Sequence, residues 1–239
     1  MVQANLYVSN TDQQAHQDMN NIVARARAKG LVIDAFSLNE VPNRSDADLT
    51  PDHGHWRVLR YRAGDKQDAR ELAIVVNMDR WKVKGYKLHD ISHLNQKGGD
   101  RYLLSAELVS KVDGKTTIDV DGTHLLQNQN PPRRKQTGIN SVQKVINIAN
   151  SHPDSNHTFV LGDFNIGRMR FPMTLFNKDG FVSSQQVVKT PDWFTGLKGR
   201  HGMVDYVLDE KDSPFVPVEQ IGIAGNSDHK AVLVSYSEE

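Results

Sequence analysis

The chain has 239 residues, no cysteine, and equal numbers of basic and acidic side chains, 29 of each. No cysteine means no disulfide framework and no thiolate metal site, and a balanced charge argues against a protein that coats nucleic acid by bulk positive charge. No apolar run approaches the 18 residues of a membrane-spanning helix, and the first residues lack the basic and apolar regions of a signal peptide.

Residues 5–10 read as a short strand ending in Asn10. Thr11 and Gln14 form a capping-box pattern. Ala15, Met19, Ile22, Val23 and Ala26 then recur at helical spacing until Gly30 stops the helix. Residues 31–41 make the next strand, halted by Pro42, and 43–55 a polar loop. Strands are predicted at 56–62, 71–77, 81–91 and 101–112. Asp113-Gly114 is a hairpin signal, so 116–120 should pair with the strand before it. A helix starts near Pro131-Pro132, with Ile139, Val142, Val145, Ile146 and Ala149 as its apolar stripe. A strand at 158–163 follows, and 168–199 reads as mostly loop. The last clear strands are 203–208 and 230–236. No repeat, low-complexity tract or linker divides the chain. The pattern predicts one α/β domain over residues 1–239, with mixed sheets and helices packed outside.

Several predicted strands end in residues that a core does not need: Asn10, Asn39-Glu40, Gly122-Thr-His124, and Asp163 with Asn165 in "TFVLGDFNIG". Asp205 lies inside an apolar run, where an acid is costly unless paired. Ser227-Asp-His229 directly precedes the last strand. Singly, each also reads as a solvated strand end or as turn chemistry. Together they offer carboxylates and amide oxygens suited to Mg²⁺, with Mn²⁺ or Ca²⁺ as alternatives. They also offer two histidines for proton transfer, one of which Asp205 could orient. A metal and acid–base groups without a cysteine nucleophile mean activated water, and the natural target is a phosphoester.

With "SLNEV", "DGTHL", "VLGDFN", "GMVDYVL" and "NSDHKAVLVSY" in this order over residues 5–236, the chain resembles the endonuclease/exonuclease/phosphatase superfamily, whose best-known member is deoxyribonuclease I. The resemblance implies an α/β (α+β) four-layer sandwich: two mixed β-sheets face to face, flanked by helices, with the site at one edge. It implies that Glu40, with Asn10 and Asp228, holds a divalent metal. It implies that Asp163 and Asn165 position water and phosphate oxygens. His229, oriented by Asp205, and His124 would bracket the scissile phosphate; the identity of the general base stays open. In deoxyribonuclease I-like members a glutamate at the start of the fourth strand pairs with the first histidine. An ungapped reading puts Arg70 there and Glu71 one residue on, so Glu71 is either that partner or an exposed strand-end charge.

The superfamily includes nucleases, deadenylases, sphingomyelinases and inositol-phosphate phosphatases, so the fold does not choose the substrate. Arg133 and Arg134, in "NPPRRKQ", read either as a contact to backbone phosphates or as a solvated helix start. Arg168, Arg170, Lys198, Arg200 and His201 add charge to the other loops. Trp193-Phe194 is a loop anchor or a stacking surface, and His53, His55, His89 and His93 read as peripheral. The expected activity is a metal-dependent phosphodiesterase, a nuclease on nucleic acid with DNA preferred to RNA, needing no obligate protein partner. The alternatives are a phosphatase or phospholipid phosphodiesterase, and a binding protein without turnover. No compartment follows from the sequence; the missing cysteine and signal peptide fit the cytoplasm and leave export open.

Overall fold

A computed structural model of the chain describes residues 1–61, 70–93, 100–126, 132–152, 155–167, 172–189, 195 and 202–238, with the side chains of 132–135 and 238 left out. It forms two six-stranded mixed sheets. In the first, β1 (Val2–Asn5) and β2 (Ala35–Asn39) run parallel, joined by α1 (Asp12–Ala28). β3 (Trp56–Leu59) and β4 (Leu72–Asn77) extend that sheet past β2, while β12 (Ala231–Glu238) and β11 (Phe215–Ile223) extend it past β1. In the second, β7 (Thr117–His124) and β8 (His157–Asp163) run parallel, joined by α2 (Pro132–Ala149). β6 (Arg101–Ser110) and β5 (Trp81–Ser92) lie outside β7; β10 (Asp205–Glu210) and β9 (Phe181–Ser183) lie outside β8.

Three apolar layers hold these elements. Leu72, Ile74 and Val76 meet Tyr102, Leu104, Val120 and Leu161 between the sheets. Met19, Ile22 and Ala26 of α1 cover Phe36, Leu38 and Val75 on the outer face of the first sheet. Val142, Val145 and Ile146 of α2, with Phe176 of α3 (Met173–Lys178), cover Val160 and Tyr206 on the outer face of the second. The result is helix, sheet, sheet, helix: the expected four-layer sandwich. The central strands are buried on both faces, so they read as continuous apolar runs rather than alternating ones. α1 starts as predicted, with the Thr11 hydroxyl accepting from Gln14 N and the Gln14 side chain accepting from Thr11 N. It ends where Leu31 N–H donates to Ala26 O and Gly30 takes φ +72°.

Some boundaries differ from the sequence reading. The first strand ends at Asn5, not Asn10. The Asn5 side-chain oxygen accepts from Tyr7 N–H, and Tyr7 turns the chain with φ +53°. Residues 172–189 are not mostly loop; they hold α3, β9 and α4 (Ser184–Val188). Pro217 masked β11, and it sits where the register to β12 slips between Pro217 and Glu219, on the outermost strand. β10 begins at Asp205, so that acid opens a strand rather than interrupting one.

Gly162 lets the two central strands of the second sheet close directly behind the site. A Cβ there would lie 2.2 Å from the backbone oxygen of Thr123. Gly162→Ala is therefore expected to cost about 1–3 kcal/mol or more, read as a lower urea midpoint, and to pry His124 from Asp163.

Candidate active site

The topology gathers polar strand ends at one edge. β1 and β2 finish side by side at Asn5 and Asn39, as β7 and β8 finish at His124 and Asp163. Each antiparallel neighbour starts there: Leu72 opposite Asn39, and Asp205 opposite Asp163. Carboxyl ends of parallel strands are where open α/β sheets bind ligands. Here two such sheets face each other, and Asn39 ties them: its amide donates to Thr123 O at 3.1 Å and its side-chain oxygen accepts from Asp163 N at 3.0 Å.

Asp163 is the hub and is fully buried. One carboxylate oxygen accepts from Asn165 N–H at 2.8 Å. The other accepts from Asn5 Nδ2 at 3.2 Å and lies 3.7 Å from His124 Nε2 and 3.8 Å from His229 Nδ1. Burial, reinforced by the Asp205 charge, pushes the Asp163 carboxyl up to about 6, against the pull of the two imidazoles. Asn165 holds φ +52° and donates to Leu125 O, fixing the turn after β8.

His229 Nδ1 donates to Asp205 Oδ2 at 2.7 Å. Burial alone would discharge the ring, but the bond and charge of Asp205, helped by Asp163 and Asp228, raise its pKa to about 10. On the other side, His124 Nδ1 donates to Glu71 Oε2 at 3.2 Å, and Arg101 pairs with the second Glu71 oxygen at 3.2 Å. Burial again opposes and Glu71 again wins, so His124 is raised while Glu71 is lowered. Glu71 thus is the histidine's partner. It precedes β4, in the turn at 70–71, where the alternation of strand faces does not apply. Among the described residues, His124 Nε2 is buried with no hydrogen-bond partner, as is Asp205 Oδ1.

Glu40 stands at the end of β2 with φ +60°. Its carboxylate accepts from Asn5 Nδ2 and from Val8 N–H, both at 2.9 Å. Asn10 is absent from this group: its amide donates to Leu6 O, and Asn5 occupies the place expected of it. Asp228 follows Ser227, whose hydroxyl donates to Asn5 O at 2.6 Å, so Asn5 is bonded to both the Glu40 and the Asp228 segments. Asp18 of α1 anchors the same segment, accepting from Asn226 N–H at 2.7 Å.

Asp163, Asp205 and His229 place ligand atoms within 4.8 Å of one another. As it stands this trio is a proton-bearing pair beside a carboxyl, since Nδ1 of His229 is spent on Asp205. Glu40 is met by neutral donors, and Asp228 lies in the segment that Ser227 ties to Asn5; carboxylate oxygens of this kind fit Mg²⁺ or Mn²⁺.

Sequence reasoning passed over Asn5, and also Thr195, whose hydroxyl accepts from Val204 and Asp205 N–H and whose carbonyl accepts from Lys230 N–H. Thr195 carries no motif; only its place between the arms of the Asp205–His229 pair marks it. Arg168, Arg170, Trp193, Phe194, Lys198, Arg200 and His201 lie outside the described residues, as do the side chains of Arg133 and Arg134. His55 and His93 lie away from the site, near Asp79 and Asp100. No helix among the described residues is long and apolar enough to cross a membrane.

No protein-family model matches the chain, and no curated protein sequence matches it. Solved structures do. An endonuclease/exonuclease/phosphatase from Bacteroides vulgatus superposes with TM-score 0.76 at 12% identity, covering 100% of this chain and 98% of that one. A mannosyl-6-phosphatase from Bacteroides thetaiotaomicron gives 0.70 at 13% identity over 99% of each chain. TDP2 from D. rerio, complexed with a single-strand DNA product, gives 0.73 at 14% identity over 99% of this chain and 97% of that one. The fold is that of the endonuclease/exonuclease/phosphatase structures.

Proposed function

We propose that the chain is a divalent-metal-dependent phosphoester hydrolase acting on nucleic-acid phosphodiesters, DNA in preference to RNA. The observation that carries the reading is the pair of acid-held imidazoles, Asp205–His229 and Glu71–His124, on either side of Asp163.

His229, with its pKa raised to about 10, and His124, raised by Glu71 against burial, present N–H edges to a phosphoryl group whose negative charge grows as water attacks. The buried His124 Nε2 still has a donor to give. One imidazolium stabilises the equatorial oxygens, and the other hands its proton to the departing alkoxide. Asp163 and Asn165 hold the attacking water between them, and Asp163, raised to about 6, has the proton affinity to receive its proton. Glu40 and Asp228 would hold the cation, which when bound neutralises phosphate charge. Arg133, Arg134 and Arg168 are proposed to contact the substrate backbone.

The similarity to the mannosyl-6-phosphatase over nearly the whole of both chains favours one second reading, a phosphomonoesterase using the same residues. The test is a panel of plasmid, linear duplex, single-stranded DNA, RNA, sugar phosphates and a phospholipid. Each is assayed with Mg²⁺, with Mn²⁺ and with EDTA. Cleavage of DNA that EDTA abolishes and Mg²⁺ or Mn²⁺ restores is expected. Turnover of sugar phosphates alone moves the assignment to the second reading. No turnover of anything makes the chain a binding protein with this fold.

A further inference from the structure

We propose that Arg44 is a positioning residue that locks the two loops carrying Asn5 and Glu40, and so sets the geometry of the cation site without touching it. The inference rests on reading Glu40 as a cation ligand. The guanidinium is buried, with Arg44 5% exposed. NH1 donates to Glu40 O at 2.6 Å; NH2 donates to Tyr7 O at 2.9 Å and Asn10 O at 3.2 Å, with Leu6 O at 3.4 Å. All of these acceptors are neutral carbonyl oxygens. They belong to two chain segments that are remote in sequence, the turn after β1 and the turn after β2.

Two of the bonded carbonyls belong to strained residues. Tyr7 and Glu40 both sit in the left-handed region, at φ 53° and 60°. A non-glycine residue stays there only where its surroundings over-determine it. The same guanidinium holds both. The consequence reaches the carboxylate, because Val8 N–H donates to Glu40 Oε2 at 2.9 Å. That N–H points at Glu40 only while Tyr7 keeps its turn. The Asn5 amide bonded to Glu40 Oε1 leaves the same turn. Arg60 supports the lock from below, donating to Arg44 O at 2.5 Å and Val41 O at 3.3 Å. An ammonium cannot replace the fork: one lysine nitrogen does not reach carbonyls on both sides at once.

The test uses the full chain as wild type, Arg44→Met, Arg44→Lys and Glu40→Gln. Mn²⁺ affinity is measured by calorimetry, and amide hydrogen exchange is followed in residues 5–10 and 39–44. Arg44→Met is expected to speed exchange in both segments and to weaken Mn²⁺ binding by about 10–100-fold, the range for residues that orient metal ligands. Arg44→Lys keeps charge and length, and is expected to restore neither fully. Glu40→Gln is expected to lose Mn²⁺ binding with both segments still protected. Wild-type Mn²⁺ affinity and protection in Arg44→Met overturn the positioning role. Should Arg44→Met fail to fold, Arg44→Lys decides: wild-type values in it overturn the role equally. Unchanged affinity in Glu40→Gln instead overturns the cation reading of that residue, and the exchange data then judge the lock alone.

Discussion

His229→Ala is expected to lower phosphoester cleavage by on the order of 10²–10⁴-fold, the span usual for loss of a positioned acid–base group, while leaving the fold intact. The ring sits at the site's edge, outside the three apolar layers. Its main tie is the 2.7 Å bond to Asp205. Removing it takes away a cation next to the place where phosphoryl charge would grow. It also leaves the fully buried Asp205 without its imidazole partner, and Asp163 with one imidazole, His124, in place of two. Asp205→Asn should lose activity to a similar degree by another route. The ring remains, but an amide no longer holds its protonated form or fixes Nδ1 as the donor. The check is kcat/KM on whichever substrate the panel identifies, beside circular dichroism and a melting curve for each variant. Wild-type turnover in both folded variants would remove these residues from the mechanism.

The sequence showed most of the strands, the helices α1 and α2, and most of the polar residues that meet at the sheet edge, because those parts announce themselves locally. An apolar run followed by Asp163 and Asn165, or by Glu40, is visible without knowing what lies opposite. Thr11 and Gln14 announced α1 for the same reason. What escaped depended on partners far along the chain. Asn5 was read as the start of a strand running to Asn10, since nothing in "NLYVSN" shows that Tyr7 turns left-handed; Arg44, 37 positions on, holds the Tyr7 carbonyl. β11 escaped because Pro217 reads as a strand breaker, and only an edge position with a register slip accommodates it. Glu71 was ambiguous because counting strand alternation presumes that the strand has begun, and β4 begins one residue later. Arg44 itself looked like one charge in a polar loop; its burial shows only in three dimensions.

Away from the site, His157→Ala is expected to cost about 3–5 kcal/mol, the usual effect of removing one partner from a buried charged pair. For a chain of this size that lowers the melting temperature by on the order of 10 °C. The imidazole is fully enclosed, with Nδ1 3.3 Å from Glu210 Oε2 and Nε2 3.7 Å from Asp209 Oδ1. Burial opposes its charge, but the two acids raise its pKa nonetheless. Asp209 is itself raised, since burial outweighs the help from His157 and from the Tyr236 hydroxyl that donates to it at 3.2 Å. A raised histidine contributes stability that is complete below its unfolded pKa, about 6.5, and is lost only as pH climbs through the folded value. A raised carboxyl does the reverse of a salt-bridged one: the folded state binds the extra proton, so stability falls as pH rises from about 3.9 through the folded value. Without His157, Asp209 rises further. Between pH 4 and 6.5 the wild-type histidine contribution is constant while the variant's carboxylate penalty grows. The deficit should therefore be larger at pH 6.5 than at pH 4, which melts of both proteins at the two pH values will show; equal deficits would mean that only packing against Phe159 was lost. β8 carries His157 at its start and Asp163 at its end, about 20 Å apart at ~3.3 Å per residue. Turnover per folded molecule should accordingly survive the substitution, separating the charge that stabilises the sandwich from the charges that act at its edge.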